Sequence, residues 1–324
     1  MTLPAAPTLD DVRAAARAIE PYLSLPTPLV RSPGLSELLG AEVSLKLEFA
    51  TPIGVFKIRG GLNLVGQLSD DERAAGLVTA STGNHGQSVA YAARLHGARA
   101  VIFVPEGANA DKIAAMERLG AEVRAEGDRF DDAVRAAHAF SDANGMRFVS
   151  SGDEPALISG VGTAALEVLE QQQPETDVVI VPVGGGSGVA GWCVVRDGLR
   201  SAAEIWGVQS AQAPAAHDSW RDGAIVTRPN LTIAEGLATG VGFELPLSIM
   251  RGSLDRFVLV DDEAIGDAVV TMLEQQHLLV EPAGASSLAA AQAHRDTLAG
   301  RNVVLVCSGA NITRSQLQAL LAVR

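Results

Sequence analysis

Cysteine is nearly absent from this chain: there are two in 324 residues, Cys193 and Cys307, each beside apolar neighbours. That excludes a disulfide framework and a thiolate metal cluster, and it points to a reducing cytoplasm. Positive charge is also short, with 25 Lys and Arg against 38 Asp and Glu, a net charge of −13 and no basic block. A nucleic-acid backbone therefore has no surface to bind, and an anionic ligand must be drawn in by local dipoles against the overall field. An unbroken hydrophobic span is lacking too. Residues 178–195 are uncharged, but Pro182 and the cluster Gly184–Gly188 interrupt them, so they read as strand, loop and helix start rather than a membrane crossing. Residues 1–22 have neither a basic start nor an apolar core; Asp10, Asp11, Arg13, Arg17 and Glu20 sit there at helical spacing, which does not indicate secretion. No internal repeat or low-complexity tract appears.

What the chain does have is apolar substance, 47% of its residues, enough for a large core and two lobes. Short β-branched runs at 43–48, 76–80, 100–105, 122–125, 147–150, 178–183, 204–208, 256–260 and 302–307 predict strands. Helix-length, alanine-rich segments lie between them, at 10–22, 60–68, 85–96, 112–119, 131–143, 156–172, 187–199, 264–276 and 286–296. Such alternation predicts an α/β fold with parallel-rich sheets covered by helices on each face.

Three of these strands run into small-residue loops. Residues 76–80 lead into Ser81-Thr82-Gly83-Asn84-His85-Gly86 and then a helix, which puts free N–H groups at the carboxyl end of a strand, suited to a carboxylate. A plain helix cap would use the same residues. The apolar strand 178–183 leads into Gly184-Gly185-Gly186-Ser187-Gly188 and another helix, a backbone that can wrap a phosphate. Its spacing is neither a dinucleotide fingerprint nor a Walker loop. Strand 302–307 ends in Ser308-Gly-Ala-Asn311, whose hydroxyl can meet a heteroaromatic nitrogen or simply close a turn.

Upstream lies Lys57, in the apolar setting Val55-Phe56-Lys57-Ile58 just before a predicted helix. Desolvation would lower its pKa and free the neutral amine, although a paired or snorkelling lysine is the ordinary outcome. Taken with both loops, Lys57 reads as a lysine that forms a Schiff base to pyridoxal phosphate.

These segments resemble a known family. The runs Lys46-x-Glu48-x3-Pro52-x-Gly54-x-Phe56-Lys57-x-Arg59-Gly60, Ser81-Thr82-Gly83-Asn84-His85-Gly86-Gln87, Val181-Pro-Val-Gly-Gly-Gly186, Glu281-Pro282-Ala-Gly284 and Ser308-Gly-Ala-Asn311 are similar to those of fold-type II pyridoxal-phosphate enzymes, in particular the threonine/serine dehydratase and serine racemase group. The resemblance covers nearly the whole chain. It implies a tryptophan-synthase-β-like fold, with a large cofactor domain at 1–76 and 154–324 and a small domain inserted at 77–153. Lys57 would be the cofactor lysine and proton acceptor. Phe56 would pack on the ring, Asn84 would touch its hydroxyl, Gly184, Gly185, Gly186 and Ser187 would hold the phosphate, and Ser308 would meet the pyridine nitrogen. Ser81, Thr82, Gly83, Asn84 and His85 would hold the substrate carboxylate. The implied reaction is deamination of L-threonine or L-serine to a 2-oxo acid and ammonia, by α-proton abstraction and loss of the β-hydroxyl. The implied assembly is a homodimer.

Departures narrow the expectation. Val55 replaces a usual serine, and Ser187 a common fourth glycine. Thr82 stands where racemases carry a serine opposite the lysine, so racemisation is the runner-up; dehydration of hydroxyaspartate or phenylserine is a further alternative. Racemase-like members carry acidic cation ligands at the position of Gln209 and near Ala215, so no metal is expected at that site, although a displaced cation could use Asp218 or Glu235. The chain ends soon after Ser308, so no isoleucine-responsive regulatory domain is expected. From a different class, an inactive amino-acid or cofactor binder would keep the fold and lose the chemistry.

Overall fold

The computed structural model describes residues 3–170 and 175–322. Two parallel-rich sheets organise them. The larger has the strand order β1-β2-β10-β7-β8-β9, formed by Leu29–Arg31 (β1), Glu42–Leu47 (β2), Val178–Pro182 (β7), Glu204–Ser210 (β8), Arg256–Val260 (β9) and Asn302–Cys307 (β10). The smaller has the order β5-β4-β3-β6, formed by Leu77–Ala80 (β3), Ala100–Val104 (β4), Glu122–Ala125 (β5) and Arg147–Phe148 (β6). Every pairing is parallel except β1 with β2. Central strands β4 and β7 are buried along their whole length, as strands with helices on both faces must be, and this is why they read as unbroken apolar runs.

The expected strands all form, most within a residue or two of their predicted bounds, while β6 stops at Phe148. The glycine-loop helix runs Ser187–Leu199, as its sequence predicts. The expected helix 286–296 begins earlier, at Pro282, because proline at the first helical position is pre-set for the turn; it ends at Ala293. Residues 171 and 172 of the expected helix 156–172 lie outside the described residues. Short elements escape the periodicity: the edge strand β1, and helices such as Pro33–Leu39 and Asp70–Ala75, which are set by local caps rather than by a long apolar stripe. Ser32 accepts from Leu35 N–H, and Ser69 forms a capping box with Glu72.

Behind the carboxyl end of β2 sits a buried ionic cluster. Arg59, fully buried, donates from Nε to Glu48 at 2.7 Å and from Nη1 to Glu167 at 2.7 Å and Thr163 at 2.9 Å. Lys46 pairs with the same Glu167 and donates to the carbonyl of Thr27 at 2.9 Å. Burial alone would weaken the proton's hold on Arg59, but the carboxylates of Glu48 and Glu167 reverse this and raise its pKa. The cluster joins β2, the helix Ile58–Gly66 and the helix Pro155–Leu169, and therefore fixes where the turn before Ile58 can lie.

Replacing Arg59 by Met would leave two carboxylates buried with Lys46 alone to compensate them. The expected loss is about 3–5 kcal/mol of stability, read as a lower urea midpoint; an unchanged midpoint would contradict the cluster's role.

Candidate active site

Strands of both sheets deliver the candidate residues from their carboxyl ends. β3 leads into Ser81, β7 into Gly184, β10 into Ser308, and β2 into the turn that carries Lys57. That turn is tied down on several sides. Thr51 Oγ1 accepts from Val55 N–H at 3.1 Å, Phe56 N–H donates to Ser308 O at 3.0 Å, and Ser88 Oγ donates to Lys57 O at 2.6 Å. Val55 is fully buried and forms a bridge with Gly309, so the usual serine is replaced by an apolar contact.

The chain has only three lysines, a count that the sequence offered and that motif reading passed over. Lys46 belongs to the ionic cluster and Lys112 pairs with Glu235, leaving Lys57 as the one without a direct carboxylate partner among the described residues. Its Nζ lies 5.1 Å from the centre of the Phe56 ring. Although its stem keeps some exposed surface, the amine is enclosed by protein. Desolvation pulls its pKa down to about 8, against the opposing pull of the Glu281 charge.

The loop after β3 does two jobs. Ser81 Oγ accepts from Gly83 N–H at 3.2 Å and Gly86 N–H at 2.9 Å, so this hydroxyl holds the loop's shape and keeps only its own hydrogen for a ligand. The backbone N–H groups of Asn84 and His85 open the helix Asn84–Leu95 and have no partner among the described residues, which leaves them for an anion. Thr82 is half-buried and its hydroxyl is likewise unengaged among those residues. His85 lies beneath, with its Nε2 at 3.0 Å from Thr79 Oγ1. Thr79 spends its hydrogen on Val149 O at 2.8 Å, so the proton between the two belongs to the imidazole Nε2. Burial, with help from the Lys57 charge, holds the His85 pKa down to about 3. Any carboxylate contact from His85 thus comes through its backbone or as a neutral ring, never as a cation.

In the second loop, Gly186 adopts φ +95° and a Cβ on Gly184 would lie 2.3 Å from Gly236 O, so this backbone is open only to glycine. The N–H groups of Gly185, Gly186, Ser187 and Gly188 have no partner among the described residues. Ser187 and Ser308 are both buried, and Ser308 lines a cavity with Phe56, Pro182 and Gly188. Asn84, expected at a ring hydroxyl, donates from Nδ2 to Glu281 at 2.8 Å and accepts at Oδ1 from Asn311 at 2.7 Å. Glu281 and Asn311 lay in quoted motifs without an assigned role, because only the tertiary fold brings them to Asn84.

The positions at which the resemblance implies acidic cation ligands are held by Gln209 and Ala215. Gln209 accepts from His217 N–H at 3.0 Å, and its buried Nε2 has no partner among the described residues, offering a donor where a cation needs oxygen. Asp218 is held by Arg228 and Arg221, and Glu235 by Lys112 and Gln316. No helix among the described residues is long and apolar enough to cross a membrane.

Comparison with known proteins bears on the fold and the family. The family model described as pyridoxal-phosphate dependent enzyme matches residues 22–309. An L-threonine ammonia-lyase of Thermotoga maritima is 37% identical over 97% of this chain and 78% of its own length. An L-threo-3-hydroxyaspartate ammonia-lyase of Saccharomyces cerevisiae is 31% identical over 98% and 97%. The solved structure of maize serine racemase superposes with a TM-score of 0.91 at 30% identity, covering 98% of both chains.

Competitive labelling of the cofactor-free protein, followed by peptide mass spectrometry, should show Lys57 reacting with a midpoint near pH 8 in place of an ordinary lysine's 10.5. A midpoint at the ordinary value would show that its amine is not desolvated.

Proposed function

The chain belongs to the pyridoxal-phosphate dependent enzyme family, and from that premise we propose that it is an ammonia-lyase converting L-threonine or L-serine to a 2-oxo acid and ammonia. One observation carries the reading: a buried lysine with no ion-pair partner among the described residues stands among two sets of backbone N–H groups that are free among those residues, one suited to a phosphate and one to a carboxylate. The residues present fit the cofactor. Gly184, Gly185, Gly186 and Ser187 would hold its phosphate, Phe56 would pack beside its ring, Asn84 would reach the ring hydroxyl with its remaining amide hydrogen, and Ser308 would face the pyridine nitrogen. When bound, pyridoxal phosphate supplies a sink for the electrons left behind by the α-proton.

The chain's own residues do the rest. The N–H groups of Asn84 and His85, with Ser81, Thr82 and Gly83, orient the substrate carboxylate and so present the α-carbon to Lys57. Because burial lowers its pKa to about 8, far more of the Lys57 amine is neutral near pH 7 than in an ordinary lysine, and that neutral Nζ can take the α-proton. Ser308 is uncharged and cannot fix a proton on the pyridine nitrogen as a carboxylate would. A hydroxyl rather than a carboxylate at that position would favour prompt departure of the β-hydroxyl. Residues 77–153, which carry the smaller sheet, are proposed to act as a small domain closing over the larger unit of 1–76 and 154–324. With only Cys193 and Cys307 present, both buried and free, a reducing cytoplasm is the proposed setting, and a homodimer is the proposed assembly.

Racemisation is the second reading, favoured by the free hydroxyl of Thr82, which can exchange a proton from the other side of the α-carbon. A panel of L-threonine, L-serine and L-threo-3-hydroxyaspartate, with keto acid and product chirality both followed, tests the choice. Keto-acid release from L-threonine or L-serine, lowered at least a thousandfold in Lys57→Ala, is expected. D-amino acid appearing faster than keto acid would overturn the assignment.

A further inference from the structure

Glu281 occupies the N-cap of the helix Pro282–Ala293 but makes no side-chain bond to that helix. Its carboxylate turns instead into the site, where Oε1 accepts from Asn84 Nδ2 at 2.8 Å. Gly309 makes the room, since a Cβ there would lie 2.3 Å from Glu281 Oε1.

Asn84 is not free to turn. Asn311 Nδ2 donates to Asn84 Oδ1 at 2.7 Å and to Ile53 O at 3.1 Å, so flipping the Asn84 amide would set oxygen against carboxylate and nitrogen against nitrogen. One Nδ2 hydrogen of Asn84 is therefore committed to Glu281, and the other is available to the site. The charged groups around Glu281 are Lys57 across the site, Lys112 on the helix Ala110–Arg118 and Glu235 beside it; His85, also facing Lys57, is neutral. Burial pushes Glu281 up to about 7, moderated by Lys112 and Asn84 and reinforced by Glu235. In the other direction, the Glu281 charge supports a proton on Lys57 against desolvation.

We propose that Glu281 is a positioning residue whose carboxylate, locked to the amide of Asn84, sets how tightly the Lys57 nitrogen holds its proton in the cofactor-loaded enzyme. This rests on Lys57 being the cofactor lysine. The two groups form a coupled pair: with Glu281 ionised, a positive charge at the lysine nitrogen is supported, and when Glu281 takes a proton that support disappears.

The test is a pH titration of the absorbance of the bound cofactor in the holoenzyme, with the pH profile of kcat alongside. Glu281→Gln keeps an acceptor for Asn84 and removes the charge. The spectral midpoint is expected to fall by about one pH unit or more. Lys112→Gln removes the cation that helps keep Glu281 ionised, so the midpoint is expected to shift downward, by less than in Glu281→Gln, and this variant serves as the test if Glu281→Gln does not fold or load. A purely structural Glu281 would lower thermal stability and leave the midpoint in place. A midpoint unmoved, or moved in the opposite direction, in a folded and loaded variant overturns the proposal. If Lys57→Ala keeps the wild-type absorbance band, the assignment of Lys57 fails instead, which separates the two claims.

Discussion

The burial of Arg59 between Glu48 and Glu167 is the constraint from which the site follows. Taking these charges out of water is costly, and only their close mutual pairing, with Lys46, Thr27 and Thr163 filling the remaining hydrogen-bonding capacity, makes the arrangement tolerable. Such a cluster has little freedom to shift. Because Arg59 lies two residues beyond Lys57, the lysine inherits that rigidity, and the bonds from Thr51, Ser88 and Ser308 remove what slack is left in the turn. Positive charge is thereby divided into two kinds: Lys46 and Arg59 are neutralised in the interior, and Lys57 is kept without a direct carboxylate partner at the site, where a neutral amine has chemical use.

The same economy of charge governs anion binding. A chain with net charge −13 repels anionic ligands at long range, and the site answers with backbone dipoles rather than with cations. Two helix starts, at Asn84 and Ser187, direct free N–H groups to where a carboxylate and a phosphate would sit. His85 is held neutral by burial and by the nearby Lys57 charge, so it adds no charge that would depress Lys57 further. Glu281 acts in the opposite sense, its carboxylate raising the lysine's proton affinity from the far side of Asn84.

What could be read in the sequence was whatever is local. Lys57 in its apolar run, the two loops after β3 and β7, and Ser308 after β10 all announce themselves because strand, small residues and helix follow one another without interruption. Cross-chain contacts leave no such mark. Glu281 stands in a motif ahead of a predicted helix, and nothing within its own segment shows that its carboxylate meets Asn84, 197 positions earlier. Glu167 lies inside an apolar helix pattern and is explained only by Arg59, 108 positions away. Val55, a departure from the family pattern, becomes intelligible as a buried bridge partner of Gly309. The short edge strand β1 and the capped helices Pro33–Leu39 and Asp70–Ala75 were missed because a few residues cannot establish a period.

The central claim is that one desolvated amine, fixed by the ionic cluster behind it, carries the cofactor. Borohydride reduction of the purified, cofactor-loaded protein followed by peptide mapping tests it most directly, and the small number of lysines makes the result unambiguous. The account predicts a pyridoxyl adduct on Lys57 alone. An adduct on Lys46 or Lys112, or none on any lysine of a fully loaded protein, would contradict it.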